Sequence, residues 1–149
     1  MREEILASKG RLMGVDFGDK RTGVAVSDGT RFLSSAEKTI SATGLRDCAE
    51  KLAEEAGRLG VCGIVIGLPV NMDGTQGGRA QRCRYLGETL EELTGLPVDF
   101  CDERMTTMEA SRYLGETGTF GKKRKQVIDA LSAQIILQSY LDKIKKFQV

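Results

Sequence analysis

Arg11-Leu12-Met13-Gly14-Val15-Asp16-Phe17-Gly18 is an apolar run broken by one acid, and Asp19-Lys20 separates it from Arg21-Thr22-Gly23-Val24-Ala25-Val26-Ser27. The first run predicts a strand over residues 11–17 and the second a strand over Thr22–Ser27, joined by the turn at Asp19-Lys20 into a hairpin. Asp28-Gly29 is a further turn signal, and a weaker third strand is expected over residues 32–40. Asp16 is the residue this pattern does not explain. A carboxylate inside an apolar strand requires a partner, because burying a bare charge costs several kcal/mol. Either a basic side chain or a metal ion meets that requirement.

Downstream the period changes. Leu45, Cys48, Leu52, Ala56 and Leu59 recur at spacings of three and four, predicting a helix over residues 44–58. Val61–Ile66 is a short β-branched run, read as a buried parallel strand. A glycine-rich loop is expected from Gly67 to Gly78, and then a helix over 79–94 with Ala80, Cys83, Leu86, Leu90 and Leu93 on one face. Pro97–Cys101 reads as the last strand. Thr106 and Glu109 have capping-box spacing for a helix starting near Thr107. A final helix over 125–145 is apolar nearly all round at Leu131–Leu137 and should pack centrally on the sheet. Hairpins early and crossovers late predict an α/β fold with a mixed five-stranded sheet and helices on both faces. The whole chain of 149 residues is expected to form a single domain, with residues 1–10 a loose N-terminal extension.

Composition narrows the chemistry. Histidine is absent, which excludes Ser-His-Asp and Cys-His catalysis and imidazole-bound zinc. Any catalytic metal must rest mainly on oxygen ligands, which favour Mg²⁺, Mn²⁺ or Ca²⁺. Cys48, Cys62, Cys83 and Cys101 form no C-x-x-C pair and sit on apolar segments, so they read as small core residues. No apolar run approaches the roughly 18 residues of a membrane span, and the acid-bearing N-terminus does not look like a signal peptide. The expected location is the cytoplasm, with no membrane partner.

Two further acids complete the chemical pattern. Asp102-Glu103-Arg104 closes the last strand, and alternation allows only one of the two acids to join Asp16. Asp129 is the one acid between Lys125 and Tyr140, on a helix otherwise built for burial. Three carboxylates from the first strand, the last strand and the last helix would raise each other's pKa unless a cation neutralised them. Two divalent ions held there could activate water and stabilise a leaving oxygen. Residues 104–126 add a local basic field, with Arg104, Arg112, Lys122, Lys123, Arg124 and Lys125 against Glu109 and Glu116. Such a field suits an anionic ligand, and equally a solvated loop. The loop from Gly67 lacks the P-loop signature, and its glycines, among them Gly67, Gly74 and Gly77, would allow close backbone approach to phosphate at a helix start. Asp16-Phe17-Gly18 matches a kinase tripeptide without the other kinase motifs.

Taken together, the segments resemble the YqgF family, relatives of the RuvC Holliday-junction resolvases. The first family motif is matched by Gly14–Gly18 and Lys20–Asp28, the second by Gly67-Leu68-Pro69 with Gly74 and Gly77. The third is matched by Asp102-Glu103-Arg104-Met105-Thr106-Thr107 and the fourth by Asp129–Leu141, with Ser132 standing where the family usually has alanine. The resemblance implies a ribonuclease-H-like fold. It also implies that Asp16, Glu103 and Asp129 are catalytic acids holding Mg²⁺ or Mn²⁺. It further implies a nuclease acting on structured RNA, the precursor of 16S rRNA at its 5′ end. Lys20, Arg21, Arg79, Arg104, Lys122, Lys123, Arg124 and Lys125 are the expected nucleic-acid contacts. A DNA junction resolvase with the same chemistry is the nearer rival, and paired junction cuts would require a homodimer. A non-catalytic RNA-binding protein of ribosome assembly is a rival of another class. An actin-like ATPase shares the look of Asp16–Gly23 but needs two such lobes, more than 149 residues supply.

Overall fold

The computed structural model describes residues 1–70, 76–102 and 121–147, with the side chains of the last helix described over residues 128–146. Five strands, β1 (Leu12–Asp16), β2 (Arg21–Ser27), β3 (Ser34–Ser41), β4 (Gly63–Leu68) and β5 (Val98–Asp102), form one sheet in the order β3-β2-β1-β4-β5. β1–β2 and β2–β3 are antiparallel, whereas β1–β4 and β4–β5 are parallel. This is the mixed sheet expected from early hairpins and late crossovers. The helices are α1 (Glu3–Ala7), α2 (Leu45–Leu59), α3 (Gly78–Thr94) and, last among those described, α4 (Gly121–Phe147).

Each face of the sheet carries its own core, sorted by strand alternation. Met13, Val15, Val24, Ile64 and Ile66 pack with Leu52 of α2 and with Leu86 and Leu90 of α3. Leu12, Ala25, Val65 and Cys101 pack on the other face with Ile136, Leu137, Tyr140 and Leu141 of α4. Helix α4 therefore lies over the antiparallel half of the sheet, mainly on β2, β3 and β1, rather than centrally as its apolar circumference suggests.

The structure corrects several expectations. Residues 1–10 are not a loose extension: Ile5 of α1 is fully buried in the α4-side core. Three contacts pin this segment. The Arg2 backbone N–H donates to Asp99 Oδ2 at 2.9 Å, its guanidinium donates to the Val98 carbonyl at 2.8 Å, and it also pairs with Glu91. Arg31 completes the latch from the β2–β3 turn. Its buried guanidinium donates to the carbonyls of Ile5 at 2.5 Å and Gly10 at 2.7 Å, and to Ser8 Oγ at 2.8 Å. Long-range polar contacts of this kind have no local sequence signature.

Gly67 and Leu68, expected at the start of a glycine-rich loop, instead extend β4, because Gly67 pairs with Cys101 and Leu68 with Asp102. α4 begins at Gly121, so Lys122–Lys125 lie in its first turns rather than in a loop before it. Cys48, Cys83 and Cys101 are buried as expected, whereas Cys62 is only partly covered and receives a hydrogen bond from Arg31 at 3.0 Å. The helix expected near Thr107 lies outside the described residues.

Candidate active site

β1, β4 and β5 run parallel, so their C-terminal ends share one edge of the sheet, where sites form in such folds. Asp16 is the last residue of β1, half-buried, and follows Leu12 and Gly14 on the face that α4 covers. Its register partner across the hairpin is Gly23.

Asp129 reaches this edge from the opposite end of the chain because Gly23 has no side chain. A Cβ built on Gly23 would overlap the Asp129 carbonyl oxygen and crowd the Ala130 nitrogen. One turn further along α4, a Cβ on Gly14 would lie 2.7 Å from Leu137 Cβ and 3.0 Å from the Ala133 carbonyl. Two strand glycines thus form the seat of α4, and the seat fixes where Asp129 sits relative to Asp16. The sequence does carry a signal for this, since glycine inside a strand often marks close approach of another backbone.

Arg21 Nε donates to Asp129 Oδ2 at 3.0 Å. The guanidinium expected to meet nucleic acid therefore also serves as a counter-ion within the site. Burial pushes the Asp129 carboxyl above its ordinary pKa, and Arg21 offsets that only in part.

Asp102 ends β5 opposite Leu68 and shares the alternation of Val98 and Phe100, which pack toward α3. Asp99 and Cys101 take the α4 face, where Tyr140 Oη donates to Asp99 Oδ2 at 2.7 Å. Asp102 is thereby assigned to the face opposite Asp16. Glu103 and Arg104 lie outside the described residues. Among the described residues no three acids or cysteines gather closely enough to hold a metal.

Of the other expected contacts, Lys20 is exposed at the hairpin turn and Arg79 is exposed on the first turn of α3. The side chains of Lys122–Lys125 are outside the described set, as is Gly74. Gly77 is exposed and precedes α3, with its carbonyl accepting from Gln81 N–H at 3.2 Å. Arg82 and Tyr85 of α3 are absent from the sequence-derived set, and Arg82 flanks the same edge. Arg82 stacks 5.6 Å from the centre of the Phe17 ring and lies 3.5 Å from Asp19 Oδ1, while Tyr85 is largely exposed one turn further on.

A family model described as "RuvX: Holliday junction resolvase" matches residues 10–143. The chain belongs to the RuvX family. The YqgF resemblance of its motifs is the same relationship seen from the sequence. Among curated RuvX relatives, a protein of Cereibacter sphaeroides named "Putative pre-16S rRNA nuclease" is 44% identical over 145 residues, covering 95% of this chain and 91% of its own. A protein of the same name from Ligilactobacillus salivarius is 45% identical over 140 residues, covering 89% and 92%. Among solved structures, Thermus thermophilus RuvC aligns with a TM-score of 0.56 at 12% identity, over 91% of this chain and 96% of that one. A fowlpox virus resolvase, solved in complex with Holliday junction DNA, aligns with a TM-score of 0.57 at 10% identity, over 89% and 97%. At such identities the likeness is one of fold, and the RuvX chain shares the ribonuclease-H-like fold of these resolvases. No described helix is long and apolar enough to cross a membrane.

Proposed function

We propose that this RuvX protein is a metal-dependent nuclease that hydrolyses phosphodiester bonds in structured RNA, processing the 5′ end of pre-16S rRNA. The observation that carries the reading is the passage of the Asp129 backbone across Gly23, the strand partner of Asp16. It brings acids more than a hundred residues apart in sequence to one face and one edge of the sheet. The proposed donors are all carboxylate oxygens, so the site suits a hard divalent cation. Asp16, Asp129 and Glu103 would hold Mg²⁺ or Mn²⁺, with Glu103 entering from sequence alone because alternation assigns Asp102 to the other face.

A bound divalent ion would supply Lewis-acid stabilisation of phosphoryl oxygen and an activated water. The chain's own residues do the rest. Asp16 and Asp129 orient the site, Arg21 holds the Asp129 carboxylate in place, and Lys20, Arg79, Arg104 and Lys122–Lys125 contact substrate phosphates. The protein acts in the cytoplasm in this reading.

A second reading, cleavage of four-way DNA junctions, is favoured by the description of the family itself. The test is incubation of the protein with precursor 16S rRNA and with a four-way DNA junction in parallel, in Mg²⁺ or Mn²⁺, followed by mapping of the cut ends. A discrete 5′ cut in the RNA that is lost in Asp16→Asn supports the first reading. Symmetric junction cuts without RNA cleavage transfer the chemistry to DNA. Tight binding with no cleavage of either contradicts the nuclease assignment and favours an assembly factor.

A further inference from the structure

Helix α3 carries its charges against its own dipole. Arg79, Arg82 and Arg84 occupy its first half with no acid, and Glu88, Glu91 and Glu92 occupy its second half with no base. A helix is stabilised by acids near its start and bases near its end, so Arg79 and Glu92, which lie in the terminal turns, are placed against the dipole. Between the two halves stands Tyr85, 61% exposed. An aromatic ring of that size left in water on a helix flanked by cations matches the surface that binds unpaired nucleotides, where bases stack on the ring and cations follow the phosphates.

The position agrees with this. Arg79 and Arg82 line a shallow pocket with Phe17, Cys83 and Asp19 where β1 ends, so the arginine face reaches the same sheet edge as Asp16, from the opposite face of the sheet. Tyr85 lies about 10 Å along the helix from its first residue. Beyond it, Glu88 and Glu92 repel a polyanion, Glu91 being paired with Arg2, so the track stops there. Arg82 and Arg84 are held over the rings of Phe17 and Phe100, at 5.6 Å and 5.3 Å, and Arg84 also donates to Gln76 Oε1 at 2.9 Å. Side chains already fixed in this way lose little freedom on meeting a phosphate.

We propose that the face formed by Arg79, Arg82 and Tyr85 binds a single-stranded segment of the nucleic-acid substrate that leads away from the cleavage edge across α3, with one base stacked on Tyr85. This rests on the nuclease reading above and adds to it a preference for substrates with an unpaired flank.

The experiment is a binding measurement without divalent metal, by fluorescence anisotropy. A labelled RNA hairpin with a single-stranded tail is compared with the same hairpin ended blunt. Wild type should prefer the tailed hairpin. Tyr85→Ala should weaken tailed binding on the order of tenfold while leaving blunt binding unchanged, and Tyr85→Phe should restore it. Arg82→Ala should weaken tailed binding and flatten its salt dependence by about 0.7 unit of log–log slope. Equal affinity of wild type and Tyr85→Ala for the tailed hairpin overturns the proposal, as does an equal loss on both hairpins. A concentration-dependent dimer that Tyr85→Ala abolishes, with tailed binding intact, overturns it in favour of a second copy of the chain. Wild type that binds neither hairpin contradicts the nuclease reading itself, a separate failure.

Discussion

The carbonyl oxygen of Asp129 occupies the space that any side chain on Gly23 would need. Gly23 is also the register partner of Asp16. One missing Cβ therefore connects a strand acid to a helix acid, and the geometry of the candidate site depends on it.

Gly23→Ala should consequently displace the start of α4 from the sheet. Overpacking of this kind costs about 1–3 kcal/mol, and here the obstacle is backbone rather than a flexible side-chain tip. Urea denaturation should show that loss, and cleavage should fall further than the folded fraction does. Gly14→Ala meets the Leu137 side chain as well as backbone, so it should cost stability with a smaller loss of activity. If Gly23→Ala retains full cleavage, the close approach is not what places Asp129.

The basic start of α4 makes a second prediction. Reversing the charges of Lys122, Lys123, Arg124 and Lys125 should weaken RNA binding and flatten its salt dependence. Abolishing one phosphate interaction lowers the log–log slope by about 0.9 unit on a duplex and 0.7 on a single strand. A slope equal to that of wild type would make the cluster a solvated helix end, and Lys20, Arg79 and Arg104 would then be the residues to test.

A third prediction concerns acid stability. The Asp28 carboxylate accepts the backbone N–H groups of Phe32 at 2.8 Å and Leu33 at 3.0 Å, along with the Thr30 hydroxyl. The Thr30 hydroxyl and these N–H groups hold its pKa down at about 2 from an ordinary 3.8. A depressed carboxylate adds stability that is complete above its unfolded pKa and disappears as pH falls through the folded one. Wild type should thus lose melting temperature between about pH 4 and pH 2, the window set by those two values. Asp28→Asn should melt lower at neutral pH and vary less across that window. Parallel pH profiles for the two proteins would contradict this role.

Much of the fold is legible in the sequence because it is periodic. The alternation around Val15 and the three-and-four spacing from Leu45 to Leu59 mark strands and helices within a few residues of their observed ends. Asp16 and Asp129 stand out because each is a charge in an apolar stretch. Contacts between distant residues are not legible. Nothing near Arg31 announces that its guanidinium reaches the carbonyls of Ile5 and Gly10, which is why residues 1–10 read as loose. The end of β4 is hidden for a related reason. Gly67 resembles a loop residue, and only pairing with Cys101 makes it a strand residue. Tyr85 escapes notice because an exposed aromatic residue on a helix looks like any other until its burial is known.

The central claim is that Asp16 belongs to a divalent-metal site, and thermal melting with and without Mn²⁺ tests it most directly. At a hundredfold excess over its dissociation constant, a ligand bound only by the folded state adds about 2.7 kcal/mol, or about 5–10 °C for a chain of this size. Wild type should gain such a shift, whereas Asp16→Asn should fold normally in metal-free buffer and gain none. A wild type indifferent to Mn²⁺, together with an Asp16→Asn variant that melts far below it, would make Asp16 the buried partner of a basic residue and contradict the claim.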